Sequence, residues 1–160
     1  MAFNIDSKVG APKSTLNVSK TIKTKFVSSA GKYVDLFEQK IAEYTGAKYA
    51  VACVNGTSAL QVSLRLAGVH PGNEVIVPTY TFIATAVAVL RVGAAPVFCD
   101  VEEDTFNIDC SSAERCITDR TRAIMPVHYG GRAVNFVGID KVAEKHDLKV
   151  VEDACHGWWH

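Results

Sequence analysis

The stretch EVIVPTYTFIATAVAVLRVGAAPVFC, residues 74–99, decides the fold. Its ends, Glu74 to Val77 and Pro96 to Cys99, are short apolar runs of strand length. Between them Phe82 to Arg91 is apolar over a helical length, with Gly93 to follow. The runs at the ends are apolar without alternation, as in strands buried on both faces of a parallel sheet. Working outward, the same alternation recurs. Upstream, a strand is expected at Tyr49 to Val54 and a helix at Ser58 to Leu66. Downstream, a helix is expected at Ser111 to Ile117, a strand at Arg122 to Val127, a helix at Phe136 to Lys145 and a strand at Leu148 to Val151. Strand–helix alternation of this kind predicts the α/β class, a largely parallel sheet with helices on both faces.

Before this array, Tyr33, Leu36, Phe37, Ile41 and Tyr44 fall at helical spacing and Gly46 supplies a stop, so an amphipathic helix is expected there. Residues 1–30, with Pro12 and scattered Ser, Thr and Lys, lack periodicity and read as an N-terminal arm. Residues 31–160 then form one domain. The 160 residues carry 17 basic and 17 acidic side chains, a balance that argues against a nucleic-acid partner. The longest apolar run, Phe82 to Leu90, is too short for a membrane span and is interrupted by Thr85. The first thirty residues show no signal-peptide core. Five cysteines without a CxxC pair suggest neither a disulfide framework nor a metal site. Cys53 and Cys99 lie in strand-like runs and read as small buried hydrophobes. A cytoplasmic chain is expected.

Parallel sheets bind ligands beyond the carboxyl ends of their strands, so the strand-to-helix loops hold the candidate site. Asn55-Gly56-Thr57-Ser58 opens a helix with a glycine and two hydroxyls. Such a terminus suits a phosphate, although Ser and Thr also serve as plain N-caps. The pattern is neither a P-loop nor a GxGxxG fingerprint. Phe82, at the mouth of the next loop, is a core ring or helix staple on ordinary burial statistics, and a ligand platform otherwise. Asp153 ends a buried strand and needs a partner there, either a helix N-terminus or a protonated ring nitrogen. His156 lies three residues on. A phosphate cradle, an aromatic platform and a strand-end Asp followed by a His are together the parts that hold pyridoxal 5′-phosphate (PLP).

These residues resemble the DegT/DnrJ/StrS family of PLP-dependent sugar aminotransferases, of the aspartate-aminotransferase fold. The matching stretches are FVSSAGKYVDLFEQKIAEYTGAKYAVACVNGTSALQVSLRLAGV, PGNEVIVPTYTFIATAVAV, GAAPVFCDVEEDTFNID, ITDRTRAIMPVHYGG and KVVEDACH. The resemblance implies that Thr57 and Ser58 bind the cofactor phosphate, with Gly56 making room. It implies that Phe82 stacks on the pyridine ring, that Asp153 pairs with the ring nitrogen and that His156 contacts the ring's phenolic oxygen. It further implies a homodimer that moves an amino group from glutamate to a keto group of a nucleotide-linked sugar. Asn73 and Cys155 depart from the family pattern, which has Asp and Ala there. The closing GWWH departs too. The family's catalytic lysine is expected a few tens of residues beyond Asp153, past His160, together with the smaller C-terminal domain. The 160 residues are therefore expected to form a partial large domain, inactive alone. Two rival readings stay open: a PLP-dependent sugar dehydratase, with His in place of that lysine, and a non-catalytic truncated product.

Overall fold

The computed structural model describes residues 31–157, in two units that divide between Ala52 and Cys53. The N-terminal arm and the GWWH tryptophans lie outside the described residues. The first unit is built on helix α1, Lys32–Thr45. Gly46 ends it in the left-handed region at φ 72°, a conformation that costs a residue without Cβ little. Glu38 on α1 accepts a hydrogen bond from the Ala52 amide at 2.7 Å.

In the second unit, helix α2 spans Gly56–Leu66 and strand β1 Glu74–Pro78. Helix α3 is Ala84–Arg91, strand β2 Ala95–Cys99 and helix α4 Cys110–Arg115. Strand β3 is Thr121–Ile124, helix α5 Phe136–Lys145 and strand β4 Lys149–Val150. The four strands form one sheet in the order β2-β1-β3-β4, every pair parallel.

All five residues of β1 are buried. Alternate side chains of this central strand serve two separate cores. Val75 and Val77 pack with Leu60 and Leu64 of α2 and Ala88 and Val89 of α3. Ile76 packs with Ala113 of α4 and Ile139, Val142 and Ala143 of α5. Helices therefore cover both faces, as the unalternating apolar runs predict. Each fully buried aliphatic side chain contributes about 1.5–3 kcal/mol, so the central strand anchors the unit.

One expected strand is absent. Residues 49–53 are irregular, and Tyr49, Val51 and Val54 are exposed. A strand exists only through its ladder, and no described strand pairs with this segment. Cys53 is consequently exposed rather than buried, whereas Cys99 is buried in the second core as expected.

The chain runs from β1 to β2 on one side, then returns across β1 to β3 on the other. The direction of connection thus reverses beside β1. In open parallel sheets ligands bind outside the carboxyl edge at such a reversal.

Candidate functional site

Backbone hydrogen bonds carry the sheet's register past the formal strand ends and align the loops. The Thr79 amide donates to Cys99 O at 2.9 Å, and Asp153 forms a parallel bridge with Val127. The Asp153 amide donates to Pro126 O at 2.9 Å, and the His128 amide to Asp153 O at 3.2 Å. Asp153 is thereby fixed at the carboxyl edge, and only 5% of it is exposed.

Its expected partner is neither a helix terminus nor a basic side chain of the described residues. The Thr85 hydroxyl donates to Oδ2 at 2.9 Å, and the Cys155 amide donates to Oδ1 at a long 3.3 Å. A carboxylate offers about four acceptor positions, so these two neutral donors and the weak thiol donor of Cys155 leave it under-satisfied and its charge unmatched. Among the described residues, no Lys, Arg or His forms an ion pair with it. The free capacity and the missing charge are what a protonated ring nitrogen would supply.

At the start of α2 the cap is Asn55, whose side chain accepts from the Ser58 amide at 2.8 Å. Capping therefore does not consume the hydroxyls of Thr57 and Ser58, and the plain N-cap reading of those two residues does not hold. The positive end of the helix dipole adds to the anion cradle. The same terminus touches the Asp153 loop: a Cβ on Gly56 would stand 3.0 Å from Cys155 Sγ. Gly56 thus keeps the two loops close. Burial, and then the neighbouring Asp153, push the Cys155 thiol up to about 11, so it stays protonated at neutral pH.

Phe82 is 74% exposed and stands just ahead of α3. The core-ring reading is overturned: its position in the β1–α3 loop turns it away from both cores and leaves it to a ligand or another surface. His156 is exposed, and no side-chain bond ties it to another described residue. Its carbonyl lies 2.9 Å from where a Gly131 Cβ would stand, which packs its turn against the β3–α5 loop. A Cβ on Gly157 would likewise stand 2.7–2.9 Å from the buried His128 side chain. His128 Nδ1 accepts from the Val134 amide, and its Nε2 faces Glu152 at 3.4 Å. His128 and Arg132, the latter bonded to Asp104 O, hold loops together.

Two groups at this edge escape the sequence reading. Thr85 is fully buried and joins Asp153 to Thr81, whose Oγ1 lies 2.9 Å from its own. A hydroxyl interrupting an otherwise apolar helix, one turn after another hydroxyl, is the signal for it. Tyr80, Phe106 and Tyr129 form a ring cluster, with Tyr80 4.7 Å from Tyr129 and 5.4 Å from Phe106. These three come from separate loops, so no local pattern announces them.

With this geometry in place, similarity to known proteins is informative. Residues 10–159 match the model of the DegT/DnrJ/EryC1/StrS aminotransferase family. The chain is 47% identical to GDP-perosamine synthase of Caulobacter vibrioides over 82% of its own length and 36% of that protein. It superposes on the aminotransferase from Psychrobacter cryohalolentis with a TM-score of 0.87 at 37% identity, covering 96% of this chain and 40% of that one. On NtdA of Bacillus subtilis, solved with the cofactor PMP bound, the TM-score is 0.85 at 36% identity, over 89% of this chain and 33% of that one. The chain thus spans between a third and two-fifths of the proteins it matches. Solved neighbours occur in PMP and PLP forms. The match over nearly the whole sequence and the superposition on solved aminotransferases agree: the chain belongs to the DegT/DnrJ/EryC1/StrS aminotransferase family, whose cofactor is PLP.

Proposed function

We propose that residues 53–157 form the cofactor-holding face of a sugar aminotransferase. The observation that carries this reading is the buried Asp153 carboxylate, which has only neutral donors and no basic partner among the described residues. In this reading the Thr57 amide and the hydroxyls of Thr57 and Ser58 receive the cofactor phosphate at the start of α2, where Asn55 already holds the Ser58 amide. Gly56 keeps that end of the helix free of a side chain that would press on Cys155. Phe82 offers its exposed ring as a platform for the pyridine. Asp153 holds a proton on the ring nitrogen, and His156 reaches the phenolic oxygen. When bound, PLP supplies an electron sink for charge developing at the substrate carbon.

The whole protein, in this proposal, acts in the cytoplasm as a homodimer. It moves an amino group from glutamate to a keto group of a nucleotide-linked sugar, a substrate class supported by the name of the GDP-perosamine relative. The 160 residues bind the cofactor and do not turn over. The second unit's only lysines are Lys141, Lys145 and Lys149. Lys141 and Lys145 are exposed on α5, where Lys145 pairs with Glu114, and Lys149 begins β4 at the sheet's amino edge. None reaches the carboxyl edge to serve as the proton-moving base.

Titration of the 160-residue chain with PLP and with pyridoxal tests the binding reading. Saturable PLP binding, with pyridoxal much weaker, is expected from the phosphate cradle. Equal binding of the two, or none, refutes it. Appreciable transamination by these 160 residues alone refutes the assignment of turnover to the longer protein.

A further inference from the structure

We infer that Thr85, steadied by Thr81, is a positioning residue for Asp153: it fixes the carboxylate plane so that Oδ1 is the oxygen left to meet the cofactor's ring nitrogen. This rests on the cofactor reading above. Thr85 lies in the first turn of α3 with no exposed surface, between residues of the first core, so its hydroxyl must be satisfied internally. It has two polar neighbours, Asp153 Oδ2 and Thr81 Oγ1, each at 2.9 Å. A carboxylate only accepts, so the single Thr85 proton goes to Asp153, and Thr81 must donate to Thr85. The direction of the whole chain, Thr81 to Thr85 to Asp153, is therefore set by the carboxylate.

The chain brackets the platform ring, since Thr81 precedes Phe82 by one residue and Thr85 follows it by three. The backbone that carries the platform ring and the carboxylate's donor are thus parts of one helix start. Oδ2 is committed to a short bond, whereas the bond to Oδ1, from the Cys155 amide, is a long 3.3 Å, with the weak thiol donor of Cys155 close by. Among the described residues the other neighbours of the carboxylate carry no positive charge, and the Cys155 thiol is at most a weak neutral donor. Glu152 faces His128, the Cys155 thiol is protonated, and α2 presents Asn55 and Gly56.

Thr85→Val keeps the shape and deletes the donor, and Thr85→Ser keeps the donor. PLP affinity of the 160-residue chain is expected to fall about tenfold in T85V, the worth of a hydrogen bond to a charged group. T85S returns it to near the wild-type value. A second readout needs no cofactor. In the wild-type background T85V lowers the urea midpoint, because it strips a donor from a buried carboxylate. In a D153A background the same change leaves the midpoint unchanged or raises it, because the hydroxyl has lost its acceptor. Wild-type PLP affinity in T85V, or the same midpoint shift in both backgrounds, overturns the inference. If the wild-type chain fails to bind PLP while the midpoints still couple, the cofactor reading falls and the tie between Thr85 and Asp153 stands.

Discussion

Replacing Asp153 with Asn separates what this carboxylate does for the fold from what it does for a ligand. The amide keeps the size of the side chain and an oxygen for the Thr85 hydroxyl, and it removes the charge. In the free protein the carboxylate is 5% exposed, with one good hydrogen bond at 2.9 Å, one poor one at 3.3 Å and no ion pair among the described residues. Burying a carboxylate this way costs several kcal/mol, and the hydrogen bond to it returns only about 1.5–3 kcal/mol. The amide is cheaper to bury but sets a donor against the Cys155 amide. These effects oppose, so unfolding in urea is expected to change by less than about 1 kcal/mol. The cofactor complex responds differently. A cationic ring nitrogen at about 4 Å from the carboxylate, in an effective dielectric near 20, gains about 4 kcal/mol. Residual desolvation of the pair takes part of that, which leaves about 2–3 kcal/mol, or a loss of about 30- to 150-fold in PLP affinity on substitution. Fluorescence titration with PLP and urea unfolding followed by circular dichroism measure the two numbers. A variant that loses more than about 3 kcal/mol of stability yet binds PLP as well as wild type would show Asp153 to be structural, and the reasoning wrong.

Three further outcomes follow from the same structure. Ile76→Ala opens a cavity beneath the central strand at a residue with no exposed surface, and should cost about 2–5 kcal/mol in urea unfolding. A loss under about 1 kcal/mol would mean that the second core is loosely packed. Glu74, buried at the amino end of β1, is held below the usual carboxylate range by the Thr118 hydroxyl, helped by Arg120 and opposed by burial. Its contribution is present above the unfolded value of about 4.3 and disappears as pH falls through the depressed folded value. Glu74→Gln should therefore lower stability at neutral pH and flatten the acid limb, and an unchanged acid limb would refute this. Cys155, pushed up to about 11 by burial and by Asp153, should alkylate about tenfold faster per pH unit between about pH 8 and 10. A rate that levels off below about pH 9 by peptide mass spectrometry contradicts that environment.

How far the sequence discloses these features depends on where each residue's partners lie. The second unit's elements are readable because β1 is apolar from Val75 onward and α5 spans Phe136–Lys145 as its periodicity predicts. Helix α3 begins two residues later than expected, at Ala84, which leaves Phe82 in the loop and exposed. Asp153 stands out because a charged residue ending an apolar strand demands an explanation. Thr85 does not, since its importance comes from an acceptor 68 residues away. From sequence it only breaks an apolar run. The N-cap is a milder case. Asn55, Thr57 and Ser58 are all competent caps, and only the geometry assigns the task to Asn55, which keeps the two hydroxyls from being used up.

The segment Tyr49 to Val54 carries the most general lesson about the sheet. Its residues have the β-propensity of the strands that do form, and β1 through β4 show that such runs pair readily here. Propensity, however, gives a segment the capacity to be a strand, and a neighbour's free amides and carbonyls make it one. Helices satisfy their hydrogen bonds locally, so α1 forms although none of its residues is buried. The apolar residues of 49–54 have no such recourse, and Tyr49, Val51 and Val54 remain 75–88% exposed. The same contrast separates helices from strands along this chain. Each helix was decided within its own turn spacing, whereas each strand depended on a partner far away in sequence.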